Sequence, residues 1–139
     1  MSEPKAIARA MIDSWVANDL EKARTLIAEN SSAWLAHTFG VSSGANKGTM
    51  FPLSRWLELL QEAIDRMPKG LGMVIHKMVA EDNWVVVELE SHGYLEDGRL
   101  YNVPYTFWFD VRDGKIRELR QYFDTKYALS FFLDFMTRA

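Results

Sequence analysis

The chain has no cysteine, which excludes disulfides, thiolate nucleophiles and cysteine-ligated metal and suits a reducing compartment. Histidine is scarce as well. His37, His76 and His92 are the three present, and no two stand at the His-x-His or His-x-x-x-His spacing that offers a pair of imidazoles to one ion, so no metal site is expected. A block of basic residues is missing too. With 16 Lys and Arg against 19 Asp and Glu and a formal net charge of −3, the chain lacks the electrostatic footprint of a nucleic-acid or anionic-membrane partner. No apolar run approaches membrane-spanning length, and the opening Met1-Ser2-Glu3-Pro4-Lys5 lacks the apolar stretch of a signal peptide. A cytoplasmic protein is expected. No internal repeat or low-complexity segment interrupts the sequence.

What is present is enough apolar material for one full core: 48% of 139 residues are hydrophobic, and a single domain over 1–139 is expected. The second half carries the clearest pattern. Runs from Asn83 to His92, Tyr101 to Val111 and Lys115 to Phe123 are rich in β-branched and aromatic residues, which suit a pleated surface. Between them stand Glu96-Asp97-Gly98 and Asp113-Gly114, and Asp-Gly supplies the positive φ of a tight hairpin turn. A further strand from Met73 to Ala80 precedes these three.

The first half reads as helices. Pro4 opens one with Ile7, Met11 and Trp15 at helical spacing. Asn18-Asp19 caps a second, with Glu21 completing a capping box, and Leu20, Ala23, Leu26 and Ile27 form its apolar stripe up to a stop at Asn30. A short strand from Ala33 to Phe39 follows, then a flexible loop from Gly40 to Lys47, which is a candidate lid. Pro52 opens a third helix with Trp56, Leu60, Ala63, Ile64 and Met67 on one face, ended by Pro68-Lys69-Gly70. The tail from Lys126 to Met136 reads as a final helix or a partner-contacting segment. Together these elements predict an α+β fold: a curved antiparallel sheet wrapped around three N-terminal helices, closing into a cone. A concave aromatic cavity with a few polar groups is the usual small-molecule site.

On strand 83–92, alternation puts Glu88, Glu90 and His92 on one side and Val85, Val87 and Leu89 on the other. If the acidic side faces the cavity, desolvation and like-charge repulsion raise one carboxyl pKa and make a proton donor. Arg120, sharing parity with Tyr122 and Asp124, would then pair with Glu88 or Glu90 and keep it ionised. The alternative is a solvated outer face beside cations from neighbouring strands. Asp124, just before Thr125-Lys126-Tyr127, has a capping reading beside the pocket one. Trp15, Trp56 and Tyr105 serve as core or as ligand wall, and Asn102 and Tyr105 bridge the hairpin or offer hydrogen bonds to a ligand.

The segment Gly98-Arg99-Leu100-Tyr101-Asn102, Tyr105, Phe109, Asp113-Gly114-Lys115-Ile116, Arg120, Tyr122-Phe123-Asp124 resembles the nuclear transport factor 2-like superfamily. Within it, the nearest patterns are SnoaL-like polyketide cyclases, ketosteroid isomerase-like proteins and limonene-epoxide hydrolase. The element order fits the whole chain, and residue-level similarity covers roughly its last third. The likeness to limonene-epoxide hydrolase implies that Glu90 stands at that family's acid and Asp124 at an aspartate that helps activate water. Glu88 falls where that family has its catalytic arginine, a reversal of charge that argues against epoxide hydrolysis by the same route. The likeness to ketosteroid isomerase places His37 at the general base and Trp15 at the oxyanion tyrosine. SnoaL-like cyclases keep an aspartate that Asp124 matches, and this is the preferred resemblance. It implies a cofactor-independent isomerase, cyclase, dehydratase or hydrolase acting on an apolar carbonyl compound, with Asp124, Glu90, His37 and Glu88 as catalytic candidates. Trp15, Trp56, Asn102, Tyr105, Arg120 and Tyr122 are the ligand-binding candidates. The alternative is a non-catalytic ligand-binding or oligomerisation module of the same fold. A homodimer through the outer face of the sheet, with Trp84 or Trp108 in the interface, is expected.

Overall fold

The computed structural model describes residues 2–36 and 48–136, the side chains of 129 and 132–136 excepted. The candidate base His37 and the candidate lid Gly40–Lys47 lie outside the described residues.

Helix α1 spans Glu3–Val16; the Ser2 hydroxyl accepts from the Lys5 N–H, Pro4 sits in the first turn, and Ala8, Met11, Ile12 and Trp15 form the buried stripe. Helix α2 is only Leu20–Arg24: Asp19 rather than Asn18 caps its start, accepting from the Lys22 N–H at 3.1 Å, and Thr25 ends it. The expected Asn18–Glu21 capping box is replaced by this cap, with Asn18 at φ 54°. Leu26 therefore lies beyond the helix. Strand β1, Ile27–Leu35, begins six residues earlier than the strand expected from Ala33, and Asn30, at φ 59°, belongs to this strand instead of stopping a helix. Strand β2, Thr49–Pro52, was not signalled by the sequence pattern, and it runs straight into α3, Leu53–Asp65. Strands β3 (Gly72–Glu81), β4 (Trp84–Tyr94), β5 (Leu100–Tyr101), β6 (Pro104–Arg112) and β7 (Lys115–Phe123) follow, then α4 (Thr125–Met136). The Asp113-Gly114 turn takes φ values of 53° and 72°, the doubly positive form that matches strand twist.

The sheet order is β2-β1-β7-β6-β4-β3, with β5 paired to β4. The meander from β3 to β7 is antiparallel as expected, but β1 joins the far edge parallel to β7, opposite Leu119, Arg120 and Gln121. Bulges bend the sheet: His76 is the extra residue between Ile75 and Lys77, and the β6–β7 register slips between Asp110 and Val111. Helices α1 and α3 fill the resulting concavity. Among the described residues no helix is long and apolar enough to cross a membrane.

Among the described residues the helices cover one face of the sheet, and hydrophobic burial decides which one. Val85, Val87 and Leu89 on β4, Phe107 and Phe109 on β6, and Leu119 on β7 are buried. Full burial of each such side chain contributes roughly 1.5–3 kcal/mol, whereas an unpaired carboxylate in the same place would cost several.

Candidate functional site

That choice of face corrects the expected orientation of the acidic residues. Glu88 and Glu90 point to the outer, convex side, because the opposite parity of β4 holds the strand's most buried apolar side chains. Glu88 is exposed, with Lys77 and Thr106 as its neighbours in register. Glu90 is half-buried; its Oε1 lies 2.9 Å from Nε2 of the bulge residue His76, and its Oε2 accepts from Asn102 Nδ2 at 2.7 Å. These two hydrogen bonds, Asn102 first and His76 second, hold the Glu90 carboxyl below its ordinary pKa. Glu90 is thus an ionised acceptor on the outside of the sheet, and the raised pKa expected of an inward acid is not found. Asn102 also donates to the Ser91 carbonyl at 2.6 Å, so it ties β4 to the strand that follows instead of lining the concavity.

Arg120 does not reach Glu88 or Glu90. It lies on the outer side, its guanidinium 4.2 Å from the Trp34 ring centroid and donating to Glu118 Oε2 at 3.2 Å. Tyr122, exposed, packs against the same Trp34 at 5.1 Å. Asp124 is exposed, and its Oδ1 accepts from the Tyr127 N–H at 3.1 Å. That is an N-cap for α4, as the capping reading has it.

The interior gathers a different set. Trp15 of α1 meets Trp56 of α3 at 5.0 Å and Phe107 of β6 at 5.3 Å, and Tyr105 stacks on Phe107 at 5.4 Å. Three of the ligand-binding candidates, Trp15, Trp56 and Tyr105, are therefore brought together; Asn102, Arg120 and Tyr122 are not. Inside this aromatic box the polar atoms are few and neutral. Trp56 Nε1 donates to Gln121 Oε1 at 2.7 Å. Trp15 Nε1 is buried without a hydrogen-bond partner among the described residues. The hydroxyls of Tyr101 and Tyr105 contact one another, and Ser91 Oγ accepts from the Val103 N–H at 2.9 Å. Burial pushes the Tyr101 phenol up to about 12. Tyr105 is driven well above its ordinary value, by burial first and by its neighbour Tyr101 second. Both phenols stay protonated throughout the physiological range, and in the contact between them one donates and the other accepts.

Tyr101, Ser91 and Gln121 were missed by sequence reasoning. Gln121 shares parity with the buried Leu119 and could have been found from that alternation; Ser91 likewise extends the Val85, Val87, Leu89 series. Among the described residues there is no group of three His, Cys, Asp or Glu side chains able to hold a metal ion. The chemistry gathered here is that of aromatic faces and neutral hydrogen-bonding groups, the kind that orients an apolar molecule carrying a carbonyl oxygen.

Comparison with known proteins agrees with the cone. A family model described as a SnoaL-like domain matches residues 8–119. IdmH of Streptomyces antibioticus, described as a candidate polyketide cyclase, superposes with a TM-score of 0.75 at 22% identity, covering 94% of this chain and 99% of its own. A candidate SnoaL-like polyketide cyclase from Jannaschia sp. CCS1 gives 0.72 at 16% identity, over 93% and 90%. An LEH-like epoxide hydrolase of M. tuberculosis gives 0.67 at 18% identity, over 99% and 97%. At these identities the likeness is one of fold. No curated protein sequence matches significantly.

Proposed function

The chain belongs to the SnoaL-like domain family, and from that premise we propose that it binds an apolar carbonyl-bearing molecule in its cone as a cofactor-independent acid–base enzyme. The reaction would be an isomerisation, cyclisation, dehydration or hydrolysis. The observation that carries the reading is the buried Trp15 indole N–H, without a hydrogen-bond partner among the described residues, in an aromatic cluster that runs through Phe107 to Tyr105 and its hydroxyl contact with Tyr101. A buried donor without an acceptor forgoes about 1–3 kcal/mol, which a ligand oxygen would restore. In this proposal the substrate's ring system lies against Trp15, Trp56 and Phe107, its carbonyl accepts from the indole or a phenol, and the enolate formed on proton loss is held by the same donors. His37 is assigned the general base on the family resemblance. A cytoplasmic setting is part of the proposal and is supported by the absence of cysteine.

Exchange of α-protons for deuterium in a panel of fused-ring aromatic ketones, followed by NMR, tests the chemistry. Acceleration by roughly 10²-fold or more over buffer is expected, lost in His37→Gln and weakened in Tyr105→Phe. The second reading, a non-catalytic binding module, is favoured by one observation: the described inner face carries neither carboxylate nor histidine. Binding without exchange would select it, and neither binding nor exchange would contradict both.

We also propose that the partner is a second copy. Strand register aligns Val79, Val86, Trp108, Arg120, Trp34 and Met50 into one row across the outer face of six strands. Val79, Trp108 and Met50 are exposed, and Trp84 packs edge-on to Trp108 at 6.0 Å. A self-complementary apolar stripe of this kind suits an isologous interface.

A further inference from the structure

A cleft of about 380 Å³ opens on the surface where the end of α1 meets the α3–β3 connection and the end of β4. Its lining is Val16, the run from Lys69 to Gly72, and His92 to Tyr94. Glycine shapes it. A Cβ at Gly93 would stand 2.6 Å from Met67 Sδ and 3.1 Å from the Gly70 carbonyl, while Gly70, at φ +90°, has open space in front of it. Met67 thus backs the strand at Gly93, and the walls of the cleft are largely bare backbone. Val16 is exposed and Leu71 is buried, so the cleft also has apolar surface.

Its polar side chains share one character. Lys69, His92 and Tyr94 are all donors or potential donors, and none makes a hydrogen bond or ion pair within the side-chain network of the described residues. His92 and Tyr94 pack edge-to-face at 5.9 Å, which holds two rings side by side on one wall. No carboxylate lines the cleft, although the chain carries an excess of acidic residues. Glu90, two residues before His92 on the same parity of β4, has both oxygens engaged, one by His76 and one by Asn102.

We propose that this cleft is a second binding site, separate from the cone, for a small aromatic carboxylate whose ring lies against Val16 and the His92–Tyr94 wall while its anion meets Lys69. The volume falls in the lower part of the range for small-molecule sites. The charge-assisted contact to Lys69 supplies orientation, as an ammonium–carboxylate pair does in a partly shielded groove.

The experiment is an amide and indole NMR titration of the full chain with 2-naphthoate, using 2-naphthamide as the neutral analogue. Saturable shifts at Gly70, Gly72, Gly93 and Tyr94 are expected, with the amide binding at least about tenfold more weakly. Lys69→Met keeps the apolar stem, and Val16→Glu places a like charge at an exposed rim; each should weaken naphthoate by a similar factor. Equal binding of acid and amide would overturn the proposal. So would unchanged affinity in both variants, shifts centred on the Trp15 and Trp56 indoles, or no saturation at millimolar concentration.

Discussion

Single residues decide where the polar chemistry sits. Asp124 terminates β7 and caps α4 in the same carboxylate, so its two readings separate on substitution. Asp124→Asn should leave stability nearly unchanged and Asp124→Ala should cost about 1 kcal/mol, measured by urea unfolding. Loss of α-proton exchange in the Asn variant, with its stability retained, would add a catalytic role. The phenol pair makes a second prediction, with a definite sign. Because Tyr101 is raised from 10.0 to about 12 and Tyr105 is raised as well, the folded state holds protons that the unfolded chain releases first. Their contribution to stability is complete below the unfolded value and is lost as pH climbs through the folded ones. Stability should therefore decline between about pH 10 and pH 12, and Tyr101→Phe should flatten that decline; phenolate absorbance followed against pH gives the check. A decline unaltered by the substitution would place its origin elsewhere.

Elements show how far pattern alone could lead. The strands of the meander, the Asp-Gly turn and the apolar faces of α1 and α3 were legible, because alternation and helical spacing are local properties that burial enforces. The parallel pairing of β1 with β7 was not, since nothing at Ile27–Leu35 names a partner some ninety residues away. The orientation of β4 was misjudged for a different reason. Its outward set is mixed, with Trp84 and Val86 beside Glu88 and Glu90, so alternation alone does not say which parity faces the core, and the family resemblance favours the acidic one. The inward set, from Val85 through Leu89 to Ser91, is uniformly buried, and it wins because that is the face on which α1 and α3 pack. Of the interior site, Trp15, Trp56 and Tyr105 were anticipated. Gln121 was open to the same alternation that buries Leu119, whereas Tyr101 depends on contacts across elements that no single segment reveals. Phe107 joins these elements, touching Trp15, Trp56, Tyr105 and Phe109. Phe107→Ala should cost about 3–5 kcal/mol in chemical denaturation. A loss below about 1 kcal/mol would mean that the helices hold the sheet by other contacts.

At the scale of the whole molecule, the convex and concave faces divide the work. The convex face bears the His76–Glu90 and Arg120–Glu118 contacts and a row that is apolar except for Arg120; the concave face bears aromatic rings and neutral polar groups. If the row joins two copies, sedimentation should return a species near twice 16.0 kDa, and Trp108→Glu should return one near 16.0 kDa with its fold intact. A wild-type species near 16.0 kDa at micromolar concentration would remove the dimer. The central claim concerns the other face: a buried aromatic cluster whose donor without an acceptor among the described residues is the indole of Trp15. Its most direct test is the Trp15 side-chain N–H resonance during titration with a fused-ring aromatic ketone. The account predicts a saturable downfield shift as the orphaned proton gains a carbonyl acceptor; an indole resonance that stays fixed while the ketone binds would contradict it.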